Sequence, residues 1–208
     1  SVFLNPANNS NGPAFGLWVA LPSGGSLVEL PRATTKAQVL HNSSDLAADT
    51  VDVWIDDVRA IPNFRYRTAT PVLDLPSGSS FDISVTAPGA PDTSNAVFRA
   101  ENISLDVNDQ YIIVANGIVS GSGYSPATPF GLDIFNNARF EAAAGGNTDV
   151  LVYHGVTDAP GVDVNEIDVP AGNIVNNLSY SGFQGYLPLG TADYVLQVQD
   201  LTGSLTVG

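Results

Sequence analysis

Short apolar runs alternate with clusters of Gly, Pro, Asn and Ser along the whole chain. In several runs every second residue is apolar, as in residues 37–41, 51–55, 81–86 and 194–198. This period of two is typical of a β-strand with one buried face and one solvent-facing face. The runs are rich in β-branched and aromatic residues, which also favours strands. The pattern therefore predicts an all-β fold, with one candidate helical turn at residues 139–144 that ends at Gly145 and Gly146.

The same landmarks return later in the chain, in the same order. The matching segments are Phe15-Gly16-Leu17 with Phe130-Gly131-Leu132, His41 with His154, and Val51-Asp52-Val53 with Val162-Asp163-Val164. Residues 61–75 also align without gaps to residues 175–189. Collinear matches at a nearly constant separation of 111–115 residues indicate an internal repeat. A period of this length fits an immunoglobulin-like antiparallel β-sandwich.

The repeat predicts tandem immunoglobulin-like β-sandwiches, cut out of phase. Residues 1–34 match the C-terminal part of a preceding unit plus a linker, residues 35–147 form one complete unit with its linker, and residues 148–208 form a partial unit that lacks its last strands. The strand-like run at residues 110–115 has no counterpart at either end of the chain. We therefore expect an excerpt from a longer repeat protein, rather than a subunit whose N-terminus completes its neighbour.

A motif in the second unit resembles a known family. Residues 152–164 read VYHGVTDAPGVDV and resemble the V-x-H-x-S-P-D-A-P-x-V-D-V opening of a bacterial secreted-protein family known only as a domain of unknown function. The matching residues are His154, Asp158, Pro160, Val162, Asp163 and Val164; the first unit keeps His41, Asp45, Val51, Asp52 and Val53. The resemblance implies a repeat in a secreted or surface protein and assigns no activity.

The composition removes several functional classes. The chain has no Cys, which excludes disulfide scaffolds, thiolate metal sites and cysteine nucleophiles. Its net charge of −14 repels nucleic acid and acidic lipid. No apolar run approaches the roughly 20 residues that cross a bilayer, and the first residues lack the pattern of a signal or transit peptide. We expect a soluble chain without membrane insertion in this segment.

The two histidines leave two interpretations open. His154 with Asp158 and Asp163 could form a metal or acid–base site; alternatively, each imidazole packs beneath the following loop and hydrogen-bonds its backbone. Because His41 and His154 hold equivalent positions, they are a property of the repeat, and we favour the structural interpretation. No G-x-S-x-G, phosphate-loop or H-E-x-x-H motif is present, so we expect no catalytic residue and no enzyme.

Two acidic groups are candidate Ca²⁺ ligands: Asp52 with Asp56 and Asp57, and residues 106–109. Neither has the D-x-[DN]-x-[DN]-G spacing, so we expect no metal and no cofactor, and we interpret residues 106–109 as the turn before a strand. Alternation sets Trp54 beside Asp52 and Asp56 on one strand face, which could stack a sugar. Burial statistics favour a Trp54 that is covered by a loop or an adjoining unit.

These observations predict a non-enzymatic extracellular structural repeat protein, in the stalk of a surface adhesin or the body of a filament. Its expected partners are neighbouring repeats or identical subunits in an array. The alternative is a carbohydrate- or ligand-binding β-sandwich module of a secreted protein, which would use Trp54 or Trp18 and bind surface glycans.

Overall fold

The structure is a computed structural model that describes residues 2–3, 16–30, 33–169, 172–203 and 206–207. It is all-β, as predicted, with 49% of residues in strands and no α-helix in the described part. No helix in that part is long and apolar enough to span a membrane. Residues 4–15, which the sequence assigns to a preceding unit, lie outside the described residues.

Near the N-terminus, three short strands form an antiparallel sheet in the order β1-β2-β3. They are β1 (Val2–Phe3), β2 (Gly16–Val19) and β3 (Val28–Glu29). In this sheet Trp18 pairs with Glu29 across β2 and β3.

The next eight strands form two four-stranded sheets, with orders β6-β5-β8-β9 and β11-β10-β4-β7. Their bounds are β4 (Thr34–His41), β5 (Thr50–Ile55), β6 (Val58–Arg65), β7 (Leu73–Pro76), β8 (Phe81–Thr86), β9 (Phe98–Ile103), β10 (Gln110–Asn116) and β11 (Gly131–Phe135). A short 3₁₀-helix, Leu46–Ala48, joins β4 to β5. Inward side chains of both sheets share one apolar core, so β4–β11 form a β-sandwich, which we call the sandwich.

The remaining strands form two further sheets, which we call the C-terminal sheets. Their bounds are β12 (Asn147–Tyr153), β13 (Val162–Glu166), β14 (Gly172–Leu178), β15 (Phe183–Gly190), β16 (Leu196–Asp200) and β17 (Thr206–Val207). One sheet has the order β12-β15 and the other β14-β13-β16-β17. Val162, Val164, Val175 and Leu178 form a small core between them, with Val152 and Leu187 packed against it.

Strand β10 is buried on both faces. Tyr111, Ile113 and Ala115 point into the sandwich core, whereas Ile112 and Val114 lie in a second apolar cluster on the opposite side of the sheet. This explains why β10 is apolar without interruption, unlike the alternating strands, since both faces of the strand exclude water. β10 also makes the parallel pairing of the sandwich, from Gln110 opposite Lys36 to Ala115 opposite His41.

The predicted helical turn at residues 139–144 is wrong. These residues are irregular, and side chains of the C-terminal sheets bind two of their backbone amides, including the Ala143 amide that a helix would direct to the Arg139 carbonyl. The Arg139 amide donates to the Tyr186 hydroxyl at 2.7 Å, and the Ala143 amide donates to Asp149 Oδ2 at 3.0 Å. The turn predicted at residues 106–109 is confirmed, with Asn108 at a φ of 69° immediately before β10.

The double burial of β10 makes its core side chains sensitive to truncation. Ile113, 1% exposed, should cost about 2–5 kcal/mol in the free energy of unfolding when replaced by alanine, because the cavity remains between two packed sheets. Urea denaturation measures this change. Ile134→Ala is the control: Ile134 is 39% exposed on β11, and its loss should cost about 1 kcal/mol or less. Equal losses of unfolding free energy for the two variants would contradict the assignment of Ile113 to the sandwich core.

Candidate functional site

Each histidine of the repeated motif closes the loop that follows it. His41 Nε2 lies 2.7 Å from the Ala48 carbonyl oxygen, and His154 Nε2 lies 2.9 Å from that of Pro160. Both side chains are buried. Burial lowers the pKa of His41, although the Ala48 carbonyl and the nearby Asp49 act in the opposite direction. A ring nitrogen that donates to a loop carbonyl at both positions matches the structural interpretation of these histidines.

Asp45 fixes the same loop to the link that follows β10, at the same end of the sandwich. Its side chain, 1% exposed, accepts hydrogen bonds from the amides of Ala47, Val119 and Ser120 at 2.6–2.9 Å and from the Ser120 hydroxyl at 2.8 Å. Burial alone would raise the pKa of Asp45, but these hydrogen bonds outweigh it and bring the pKa below its usual value. Asp45 is therefore a buried carboxylate that joins the β4–β5 loop to the β10–β11 link.

Asp52 has a comparable structural role in β5. It is fully buried and accepts from the Asn63 amide at 2.7 Å, the Gly89 amide at 2.9 Å and Arg59 at 3.2 Å. Burial acts to raise the pKa of Asp52, and the three donors more than compensate, so its pKa is lowered. In the C-terminal sheets Asp163 accepts from the Asn177 amide at 2.7 Å in the same way.

The predicted outward face of Trp54 is not open. Trp54 is only 6% exposed, its indole nitrogen donates to Thr86 Oγ1 at 2.9 Å, and the Arg59 guanidinium lies over its ring. Asp56 lies in the turn after β5, where it accepts from the Asp82 amide at 3.0 Å. The alternating pattern correctly predicts the face of β5 on which Trp54 lies, but it carries no information about which residues cover that face. Trp54, Asp52 and Asp56 thus form no open sugar-stacking surface.

The other motif residues hold the strands and turns together. Val51, Val162 and Val164 are buried and Val53 is half-buried, whereas Asp158 and Pro160 are exposed beside the turn at residues 157–158. Among the described residues, no three His, Asp or Glu side chains lie close enough together to hold a metal ion. The arrangement around the motif supports loop anchoring.

A contact that the sequence did not predict joins the sandwich to the C-terminal sheets; we call it the junction. Its apolar part contains Ile112 and Val114 of β10 with Ala138, packed against side chains from both partners. Those side chains are Leu40, Phe135, Phe140, Leu151, Tyr153 and Phe183. The Tyr153 and Phe183 ring centroids lie 4.7 Å apart, and those of Phe135 and Phe183 lie 5.2 Å apart. Such aromatic pairs add to the stabilisation from burial alone.

A polar network completes the junction at the end of β10. The Asn116 amide nitrogen donates to the hydroxyls of Tyr153 at 2.7 Å and Tyr180 at 2.9 Å, while its oxygen accepts from Asn42 at 3.1 Å. Tyr153 in turn donates to Asp133 at 2.5 Å. Burial and the Asp133 carboxylate raise the pKa of Tyr153, so its hydroxyl stays protonated as a donor. Asn116, 2% exposed, is thus a buried amide with its hydrogen-bonding groups used across the junction.

Gly155 lets the two parts approach closely. The Asn42 side chain donates to the Gly155 carbonyl at 3.0 Å, and a Cβ at Gly155 would lie 2.1 Å from Asn42 Nδ2. Any other residue at this position would therefore push Asn42 away from the junction. The sequence carries no signal for this contact, because Asn42 and Gly155 are 113 residues apart.

Asp45 gives the motif a testable acid dependence. Because its folded-state pKa is lowered, its contribution to stability is complete above the ordinary aspartate pKa of about 3.9 and is lost as the pH falls through the folded-state value. Asp45→Asn should reduce the free energy of unfolding by about 1.5–3 kcal/mol at pH 7, and this gap should narrow below about pH 4. Urea denaturation at a series of pH values measures both effects.

Asp158→Asn is the matched control, since Asp158 also follows its motif histidine by four residues but is exposed. We expect its effect to be within about 0.5 kcal/mol. If the difference in unfolding free energy between the parent chain and Asp45→Asn stayed constant below about pH 4, it would contradict the assignment of Asp45 as an ionised, hydrogen-bonded carboxylate.

Comparison with known proteins identifies the family. No curated protein matches the chain. A family model described as a domain of unknown function, DUF4397, matches residues 35–165, which include the sandwich, β12 and nearly all of β13. The matched region covers more than half of the chain, and it contains His41, His154 and the junction residues of β10 and β12. The chain therefore belongs to the DUF4397 family of domains of unknown function.

Proposed function

We propose that this chain is a non-enzymatic structural module of an extracellular array, in which successive β-sandwich units are held in a fixed relation by junctions. The observation that carries the proposal is the junction itself, which combines an apolar cluster with a buried Asn116–Tyr153–Tyr180 network. A flexible linker between independent modules would need neither. The array is either the stalk of a surface adhesin or the body of a filament.

The equivalent arrangement of the two parts supports a tandem organisation. The order β14-β13-β16-β17 repeats the order β6-β5-β8-β9. Their registers also correspond, since Val53 pairs with Val85 as Val164 pairs with Val198. Asn63 and Asn177, which donate to the equivalent aspartates, have φ values of 51° and 52°. Such agreement in register and backbone conformation favours two copies of one unit.

The composition of the junction suits a permanent contact. Its centre is apolar and aromatic, and a salt bridge, Arg139 to Asp149 at 2.8 Å, accompanies it, with Arg139 stacked on Tyr186. Interfaces that stay closed resemble a domain core in this way. A fixed angle between units is the property that a stalk or filament requires, and the acidic, Cys-free surface is compatible with an extracellular setting.

The carbohydrate-binding alternative has less support. Trp54 is buried and bound to Thr86, so its ring offers no stacking face. Trp18 on β2 is half-buried and pairs with Glu29 on β3, so it remains the candidate stacking residue of this alternative. The array proposal uses the contacts of the structure more directly.

The junction can be loosened at Gly155. Gly155→Ala should displace Asn42, because the added methyl group overlaps Asn42 Nδ2. The distribution of distances between the sandwich and the C-terminal sheets should then broaden. Spin labels at Ser80→Cys and Asp193→Cys, two exposed positions in a chain without other cysteines, report this distance by pulsed electron paramagnetic resonance. We expect one narrow population in the parent and a broad one in Gly155→Ala.

Gly145→Ala is the control, since nothing lies within 4 Å of the added Cβ, and it should keep the narrow distribution. If Gly155→Ala does not fold, Tyr180→Phe tests the same network by removing one acceptor of Asn116. A broad distribution in the parent chain would overturn the fixed junction.

Electron microscopy of the native material tests the array itself. We expect fibres or stalks with a regular axial repeat, because identical units joined by identical junctions generate a periodic assembly. Isolated compact particles at all concentrations would contradict the array and favour a discrete binding module.

A further inference from the structure

We propose that the C-terminal sheets are a strand acceptor: they bind an extended apolar segment of the β10 type, in parallel, along the open edge of β12. The inference rests on the proposed repeat relationship between the sandwich and the C-terminal sheets. It goes further by naming the partner that the second unit recognises and the register of the contact.

The edge of β12 is the first observation. In the sandwich, β4 lies between β7 and β10. In the described part of the chain its equivalent β12 pairs with β15, in the register that β4 makes with β7: Ala37 faces Leu73 as Val150 faces Leu187. The opposite edge of β12 therefore offers the backbone groups that β4 uses to bind β10. An unpaired edge of this kind is a template for another strand.

The exposure of the small core is the second observation. Ile83 of β8 is 5% exposed, whereas Leu196, which holds the equivalent position in β16, is 46% exposed. Ile83 pairs with Ile55, the last residue of β5, and Leu196 pairs with Glu166, the last residue of β13. The two residues therefore hold equivalent positions in their sheets. Ile83 is covered in the core that includes Tyr111, Ile113 and Ala115 of β10. A strand that brought the same side chains to β12 would cover the apolar side of the C-terminal sheets.

The motif loop gives the third observation. In the sandwich, Asp45 binds the amides of Val119 and Ser120, and the Ser43 hydroxyl donates to the Gly117 carbonyl at 2.6 Å. The equivalent residues Asp158 and Val156 are exposed, Val156 by 55%. The loop that follows a bound β10-type strand would therefore meet an available carboxylate at Asp158.

These features define the chemistry of the partner. The segment must be extended, carry apolar side chains at alternate positions for the core, and continue into a glycine-containing link that presents two backbone amides. An intact second copy cannot supply it from β10, because that strand is already bound between β4 and β11. The partner is therefore an unpaired strand with the sequence character of residues 108–120.

Cysteine trapping tests the contact in the full chain. The register of β10 on β4 sets Ile113 opposite Val39, and therefore opposite Val152 in the acceptor. The chain carries Val152→Cys as its sole cysteine, and the probe is a synthetic peptide of residues 108–120 with Ile113→Cys. We expect a disulfide to form, since directly opposed residues of neighbouring strands lie within the Cα separation that a disulfide spans.

The peptide with Val114→Cys is the matched control, because adjacent residues of a strand point to opposite faces, and it should crosslink poorly. Unmodified peptide should also slow amide hydrogen exchange in β12 by roughly tenfold or more, with exchange in β4 unchanged. Should Val152→Cys not fold, Val150→Cys with Tyr111→Cys tests the neighbouring inward pair.

Equal crosslinking of the Ile113→Cys and Val114→Cys peptides, or no protection of β12, would overturn strand acceptance. Disulfide-linked dimers of the Val152→Cys chain that form without peptide and block peptide binding would also overturn strand acceptance. They would show that a second copy of the chain occupies the edge of β12. The spin-label distance is measured without peptide, so it tests the fixed junction independently of strand binding. A narrow distance distribution together with no peptide binding would contradict strand acceptance and leave the proposed array unaffected.

Discussion

The structure depends on β10 being covered on both faces. Five consecutive residues, 111–115, are apolar, and alternate side chains enter different clusters: the sandwich core on one side and the junction on the other. A parallel pairing with β4 fixes the strand laterally, and β11 closes its other edge. Hydrophobic burial drives both contacts, so disorder in this one strand would expose both clusters together. Folding of the sandwich and docking of the C-terminal sheets are consequently coupled through β10.

Apolar contact alone would not fix the angle between the two parts, because the hydrophobic effect has little directional preference. The Asn116 network supplies direction. The Asn116 amide nitrogen donates to Tyr153 and Tyr180, and its oxygen accepts from Asn42. A rotated arrangement of the two parts would leave these buried polar groups without partners, at a cost of about 1–3 kcal/mol each. Gly155 sets the closest approach, since its missing side chain makes room for Asn42. The apolar cluster thus stabilises the junction and the polar network selects its geometry.

The sequence predicted what depends on local pattern. Alternation gave the all-β fold and the side of β5 on which Trp54 lies, and the repeated histidine motif gave the loop hydrogen bonds. It failed where distant segments decide the outcome. Residues 139–144 have helical propensity, but Tyr186 and Asp149 bind their amides from strands that follow in the chain. The junction escaped prediction for the same reason, since Asn42 and Gly155 are 113 residues apart.

The repeated motif has a short-range part and a long-range part, and they carry different information. The histidine closes a loop within six or seven residues, and it does so in both copies. The aspartate four residues later acts over 74–75 residues in the sandwich, where Asp45 binds the link after β10. The histidine bond is therefore local, and it has the same form at His41 and His154. The role of the aspartate depends on the segment that reaches it: in the sandwich the link after β10 brings the amides of Val119 and Ser120 to Asp45, whereas Asp158 is exposed.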